Sequence, residues 1–211
     1  MSAREPAEDW EANDRKTADR EANDRETPGR EPPPKPPLKR QRSLVIVNTG
    51  DGKGKSTAAF GVVMRGVARG WPVAVVQFVK SDKWKVGEEA VCRRLGVEWA
   101  KTGDGFSWLS DDLERSRALA VAAWELARET IAAGEHKLVV LDEITYPIVW
   151  GWIAGDEVAR VLSERPEHVN VVATGRDAPA ELIEVADTVT EMRKVRHAYD
   201  NGVRAKRGID F

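Results

Sequence analysis

Leu44 to Gly61 reads LVIVNTGDGKGKSTAAFG. Its first five residues, Leu44-Val45-Ile46-Val47-Asn48, are mostly apolar and predict a short buried strand. A loop with Gly50, Gly52, Gly54, Lys53 and Lys55 follows, and Ser56-Thr57-Ala58-Ala59-Phe60 opens a helix. Strand, glycine-rich loop and helix in that order form a cradle for phosphate. The glycines let the backbone turn tightly so that its N–H groups point at an anion. The helix beginning near Lys55 adds the positive end of its dipole. Lys55 brings a full mobile charge, and the Ser56 hydroxyl can ligate Mg²⁺. Against the pattern G-x-x-x-x-G-K-[ST], the chain departs once: Thr49 stands where the first glycine is expected. The bland alternative is a glycine-rich turn whose lysines are merely solvated.

Working outward, the chain has 211 residues, 33 basic and 35 acidic, for a net charge of −2. No global field therefore favours nucleic acid or a membrane surface. No run of apolar residues is long enough to span a bilayer, and the N-terminus has no apolar signal region. The one cysteine, Cys92, excludes an internal disulfide framework and suits a reducing cytoplasm. Within VCRRLG it reads as a small hydrophobe on a helix.

Residues 1–42 differ from the rest. They hold seven of the eleven prolines, and their ten basic and ten acidic residues cancel. Glu11-Ala12-Asn13-Asp14-Arg15 recurs as Glu21-Ala22-Asn23-Asp24-Arg25, too short for a solenoid unit. Pro32 to Pro37 would be extended polyproline II. The segment reads as a solvated, disordered tail, so the folded domain is expected over 43–211.

Beyond Ser43, apolar runs alternate with helical patterns, as in parallel βαβ units. Helices are expected at 55–69 (Ala58, Ala59, Val62, Val63 and Val67 inward), 88–95, 110–133, 156–163 and 180–186. In the long one, Leu113, Ala120, Val121, Trp124, Ala127 and Ile131 repeat at helical spacing. Strands are expected at 73–79, 97–100, 137–141, 169–173 and 188–192. The fold class is α/β: a mostly parallel sheet flanked by helices, a three-layer sandwich like the P-loop NTPases of RecA-like type. In such a sheet ligands bind at the carboxyl ends of strands. Here those ends carry Gly50–Ser56, Gln77–Lys80, Asp142-Glu143 and Thr174-Gly175-Arg176.

An apolar strand ending in Asp142-Glu143 supplies the second half of a nucleotide site: one carboxylate ligates Mg²⁺ directly or through water, and the other orients a water or neighbouring ligand. Arg176 can grip phosphate oxygens as a bidentate fork. No catalytic glutamine or arginine-rich lid for γ-phosphate chemistry is evident. Gly105-Phe106-Ser107-Trp108 sets two aromatics in a glycine-rich loop, off any core periodicity, where a flat apolar ligand competes with plain packing. His197 and Tyr199 either close the site or pack. On the residues alone, an NTPase or kinase and a non-catalytic, ATP-dependent carrier both stay open.

TGDGKGKSTAAFG, VVQFVK, TGDGFSW, VVLDEITY, VVATGRDAP and HAYDNGVRAKRGIDF occur in the order seen in P-loop ATP:corrinoid adenosyltransferases, a family the chain resembles over residues 43–211. The resemblance implies transfer of the 5′-deoxyadenosyl group of ATP to the cobalt of a reduced corrinoid, with release of triphosphate. It implies that Gly50, Asp51, Gly52, Lys53, Gly54, Lys55, Ser56, Thr57 and Arg176 hold ATP, and that Ser56 and Glu143, with Asp142 beside them, hold Mg²⁺. ATP is expected reversed relative to ordinary P-loop enzymes, with C5′ exposed. Phe106 and Trp108 match an aromatic pair that displaces the corrinoid's lower axial ligand, which with Lys55 makes the expected catalytic set. A flavin-type reductase supplying Co(I) and a homodimer are further implications. The chain departs from the family pattern at Ser56 and Ser107, where threonine is common, at Asp51, where asparagine is common, and in its proline-rich N-terminal tail.

Overall fold

In the computed structural model of the chain, the described residues are 42–79, 87–102 and 113–210. All lie within one unit, Gln41–Phe211. Residues 1–41 of the tail expected at 1–42, the Phe106–Trp108 pair and the start of the helix expected at 110–133 lie outside the described residues.

Strand β1 (Val45–Thr49) leads through the glycine loop into α1 (Lys55–Ala68). Then come β2 (Val73–Phe78), α2 (Gly87–Arg94), β3 (Glu98–Thr102), the long α3 (Leu113–Ala133) and β4 (Leu138–Asp142). The chain continues with α4 (Thr145–Val149), α5 (Gly155–Glu164), β5 (Asn170–Thr174), α6 (Ala180–Glu184), β6 (Thr188–Glu191) and a 3₁₀ turn, Ala198–Asn201. The strands form one sheet in the order β3-β2-β4-β5-β1-β6, every pair parallel. One strand, β5, thus separates the phosphate-loop strand from the strand that ends in acid.

Strands buried on both faces read as continuous apolar runs, because alternate side chains feed opposite layers. Val139 and Leu141 of β4 join Trp124, Ala127 and Ile131 of α3 and Val158 and Leu162 of α5 in one core cluster. Leu138 and Val140 point the other way, to Ala59, Phe60 and Val63 of α1, Cys92 of α2 and Trp99 of β3. Phe60 and Trp99 stack at 5.3 Å between ring centroids. These are the three expected layers.

Two helix faces differ from expectation. In α1 the inward stripe is Ala59, Phe60, Val63 and Gly66, with Val62 and Val67 half-buried at its margin and Ala58 exposed. Gly66 belongs to the stripe because an added Cβ would already lie 3.4 Å from Leu138, so the helix sits close to the sheet there. In α3 the buried stripe is Ser116, Ala120, Ala123, Trp124, Ala127 and Ile131. Leu113 lies a turn beyond its end and Val121 one position off it, and both are exposed.

Cys92 is fully buried in α2, and desolvation pushes its thiol pKa up. Both effects suppress the thiolate, which is the reactive form. A thiol reagent at mildly alkaline pH should label the native protein at least about tenfold more slowly than the urea-unfolded chain. Equal rates would contradict this packing.

Candidate functional site

The loop between β1 and α1 is shaped by what lies behind it. Gly50 and Gly54 adopt φ of 94° and 119°, where a Cβ is strained. Gly52 is constrained by space: its Cβ would fall 2.6 Å from the Met192 carbonyl oxygen, to which the Gly52 N–H donates at 2.5 Å. Met192 in turn donates its own N–H to the Thr49 carbonyl at 2.8 Å. The backbone just past the edge strand β6 is therefore the wall against which the cradle is pressed. Thr49, the departure from the loop pattern, has a structural task, since its hydroxyl accepts the Ala178 N–H at 3.1 Å and ties β1 to the loop after β5.

Lys55 opens α1 and folds back over the loop, its Nζ donating to the Gly50 and Gly52 carbonyls at 2.6 and 2.7 Å. Burial, and next the charge of Arg176, lower its pKa from the ordinary lysine value. The helix N-cap is Gly54, which has no side chain to satisfy the first-turn N–H groups. These groups face a cleft of about 260 Å³ lined by residues 51–57. Across the cleft stand Glu143, Tyr146 and Arg176, with His197 and Asp210 from the C-terminal segment. Asp210 bonds Lys53 at 2.7 Å, and the Lys206 N–H and then Lys53 hold its carboxyl below the usual aspartate range.

The acidic pair divides its work. Asp142 is fully buried; its Oδ2 accepts from Gln77 Nε2 at 2.7 Å and its Oδ1 from the Thr174 hydroxyl at 2.8 Å. Glu143 follows at φ 67°, a sharp exit from the strand, and lines the cleft, while its N–H donates to Thr174 Oγ at 2.9 Å. Gly175, next on β5's exit, has φ 143° and no room for a Cβ, which would lie 2.0 Å from the Thr145 hydroxyl. Its N–H donates to the Asn48 carbonyl at 3.2 Å, and Asn48 Nδ2 donates to the Lys55 carbonyl at 3.3 Å.

Of the expected site residues, Asp51, Gly52, Lys53, Gly54, Lys55, Ser56, Thr57, Glu143 and Arg176 come together in this cleft. Gly50 sits behind it as an acceptor for Lys55, and Asp142 lies beneath, bonded on both oxygens. His197 reaches the cleft, whereas Tyr199 is 76% exposed and does not pack. Phe106, Trp108 and Lys80 lie outside the described residues. Among the described residues no cluster of three or more histidine, cysteine or acidic side chains could hold a metal unaided. The Ser56 hydroxyl and the Glu143 carboxylate do fit a Mg²⁺ that arrives with a polyphosphate, which brings most of its own oxygen ligands.

Three contributors escape a reading of local sequence: the Met192 backbone, Asp210 and the side-chain bond of Thr174. Gln77 alone carries a signal, as the one polar residue inside VAVVQFV.

The family model for ATP:corrinoid adenosyltransferase BtuR/CobO/CobP matches residues 41–211. The chain is similar to the corrinoid adenosyltransferase of Escherichia coli K12, with 41% identity over 171 residues, covering 81% of this chain and 87% of the relative. It is similar to the corrinoid adenosyltransferase CobA of Salmonella typhimurium, at 40% identity over 173 residues, 82% of this chain and 88% of that one. The corrinoid adenosyltransferase of Pseudomonas aeruginosa is 42% identical over 173 residues, 81% of this chain and 85% of its own.

If Lys55 holds phosphate as a cation, its share of nucleotide affinity is complete below its pKa and is lost as pH rises through it. The lowered pKa moves that loss to lower pH than a solvated lysine would set. Titration calorimetry with Mg·ATP between about pH 7 and 10.5 should show the decline, and Lys55→Arg, always protonated, should flatten it. A flat profile for the native protein would refute this role.

Proposed function

The chain belongs to the ATP:corrinoid adenosyltransferase family, and from that premise we infer that it is a transferase moving the 5′-deoxyadenosyl group of ATP to the cobalt of a reduced corrinoid, in the making or salvage of adenosylcobalamin. The cobalt(I) electron pair forms the Co–C5′ bond as the C5′–O bond breaks, and that bond's electron pair leaves with triphosphate. Cobalt(I) is itself a strong nucleophile, so the protein needs no base; it must align C5′ with cobalt and stabilise a highly charged leaving group.

The observation that supports this most directly is the convergence of the glycine loop, Lys53, Lys55 and Arg176 on one cleft. Loop N–H groups and the α1 terminus hold the phosphate chain, Lys55 moves from the loop carbonyls onto phosphate oxygens, and Arg176 closes from the β5 side. Ser56 and Glu143 would hold Mg²⁺, which offsets charge building on the departing triphosphate. Asp142 acts from below as the anchor of Glu143. ATP lies reversed in this reading, so C5′ rather than the γ-phosphate faces the corrinoid. Phe106 and Trp108 form an apolar wedge beneath the ring that removes the lower axial donor, which eases reduction to Co(I) and keeps water away.

Several finer points belong to the same reading and rest on family membership. The catalytic domain spans 43–211 behind a charged tail, the protein works as a homodimer, and a flavin-type reductase supplies Co(I). A cytoplasmic setting agrees with the single buried thiol, and no described helix is long and apolar enough to cross a membrane.

Purified protein with ATP, Mg²⁺ and chemically reduced cobalamin should yield the light-sensitive adenosyl product and triphosphate in equal amounts. Conversion of ATP to ADP and phosphate at an equal rate without corrinoid would instead mark a hydrolase or kinase, and corrinoid binding without adenosylation a carrier. Phe106→Ala and Trp108→Ala should keep ATP affinity yet lower turnover by about tenfold or more when Co(II) corrinoid and reductant are supplied. Loss of ATP affinity in either variant would remove them from the corrinoid side.

A further inference from the structure

Thr174 joins the acidic side of the cleft to the basic side, and the reaction as described gives it no part. It is fully buried at the carboxyl end of β5, two residues before Arg176. Its hydroxyl accepts the Glu143 N–H at 2.9 Å and donates to Asp142 Oδ1 at 2.8 Å. The single hydroxyl proton is thereby committed to Asp142 Oδ1, which accepts it. Gln77 repeats the arrangement on the other oxygen, so the aspartate is held from both neighbouring strands.

The consequence falls on Glu143. Its φ of 67° is sparsely populated by residues that carry a Cβ and persists where surroundings over-determine it. The bond from its own N–H to Thr174 is one such restraint. A valine of the same shape would leave that N–H and Asp142 Oδ1 each short of a partner in a buried place.

We propose that Thr174 is a positioning residue: its hydroxyl fixes the left-handed turn that carries the Glu143 carboxylate to the cleft, and so sets how well the site takes up Mg²⁺ together with triphosphate. This rests on the reading of Glu143 as a metal-side group.

The test uses the full chain and equilibrium binding of ATP across a Mg²⁺ titration, with no turnover needed. Thr174→Val should raise the Mg²⁺ concentration for half-maximal ATP binding by about tenfold or more, as loss of an outer-shell partner does. Its metal-free ATP binding should match the native protein. Thr174→Ser, which keeps the hydroxyl, should restore the native Mg²⁺ requirement. In a Glu143→Gln background the valine substitution should add little, because its effect runs through that carboxylate. An unchanged Mg²⁺ requirement in Thr174→Val, an equal loss of binding with and without metal, or full additivity with Glu143→Gln would each overturn the proposal. Should the valine variant not fold, Thr174→Cys, close in shape and far weaker in hydrogen bonding, reads the same quantity. The corrinoid-dependent product assay stands apart, so a wild type that makes ADP sinks the transferase reading while the metal titration still decides the role of Thr174.

Discussion

A carboxylate with no contact to solvent must be hydrogen-bonded or lose its charge, and Asp142 is the place where this fold meets that demand. Desolvating such an ion costs several kcal/mol, so its partners are needed at once and in fixed positions. Gln77 comes from one neighbouring strand and Thr174 from the other, in the registers Gln77↔Asp142 and Leu141↔Ala173. A slip of one residue in either pairing would turn those side chains to the opposite layer and strand the charge. The acid therefore pins three strand ends to one another. Through Gly175 and Asn48 the pinning extends to β1 and the first turn of α1.

The phosphate loop depends on a second constraint with no side chain in it. Met192 presents a backbone carbonyl and N–H to the loop and to Thr49, and glycine is required at 50 and 52 because that backbone is so close. All four residues of β6 are exposed, so the strand contributes little to either core. Its value lies in delivering the chain just past its end to the back of the cradle. Glycine in this loop is thus set by conformation at two positions and by contact with the backbone just past β6 at two.

Much of this was legible beforehand, for reasons that can be named. Strands buried on both faces give uninterrupted runs such as KLVVL, and the glycine–lysine loop has a pattern that few other structures need. Placement at the carboxyl ends of the strands followed from parallel topology, which gathered Glu143 and Arg176 to the loop. Helix faces were harder to read where small residues do the packing: Gly66 is a core position because it permits close approach, and Ser116 is buried too, neither of which hydrophobicity reveals. The separate fates of Asp142 and Glu143 were also hidden. Adjacent acids look alike in sequence, and only a backbone turn at φ 67° sends one below the cleft and the other to it. Met192 and Asp210 offered nothing, since backbone contacts and tertiary ion pairs between distant segments leave no local trace.

In the proposed reading, the pairing of Lys53 with Asp210 gives the nucleotide a rival built into the chain. A carboxylate bonded to Lys53 already lines the cleft proposed for the nucleotide, so in that reading binding would exchange one negative group for another. The affinity observed would then be the intrinsic one scaled by the fraction of molecules in which Asp210 has left Lys53. Ionic strength acts on both sides of that exchange, loosening the resident ion pair as it screens the newcomer.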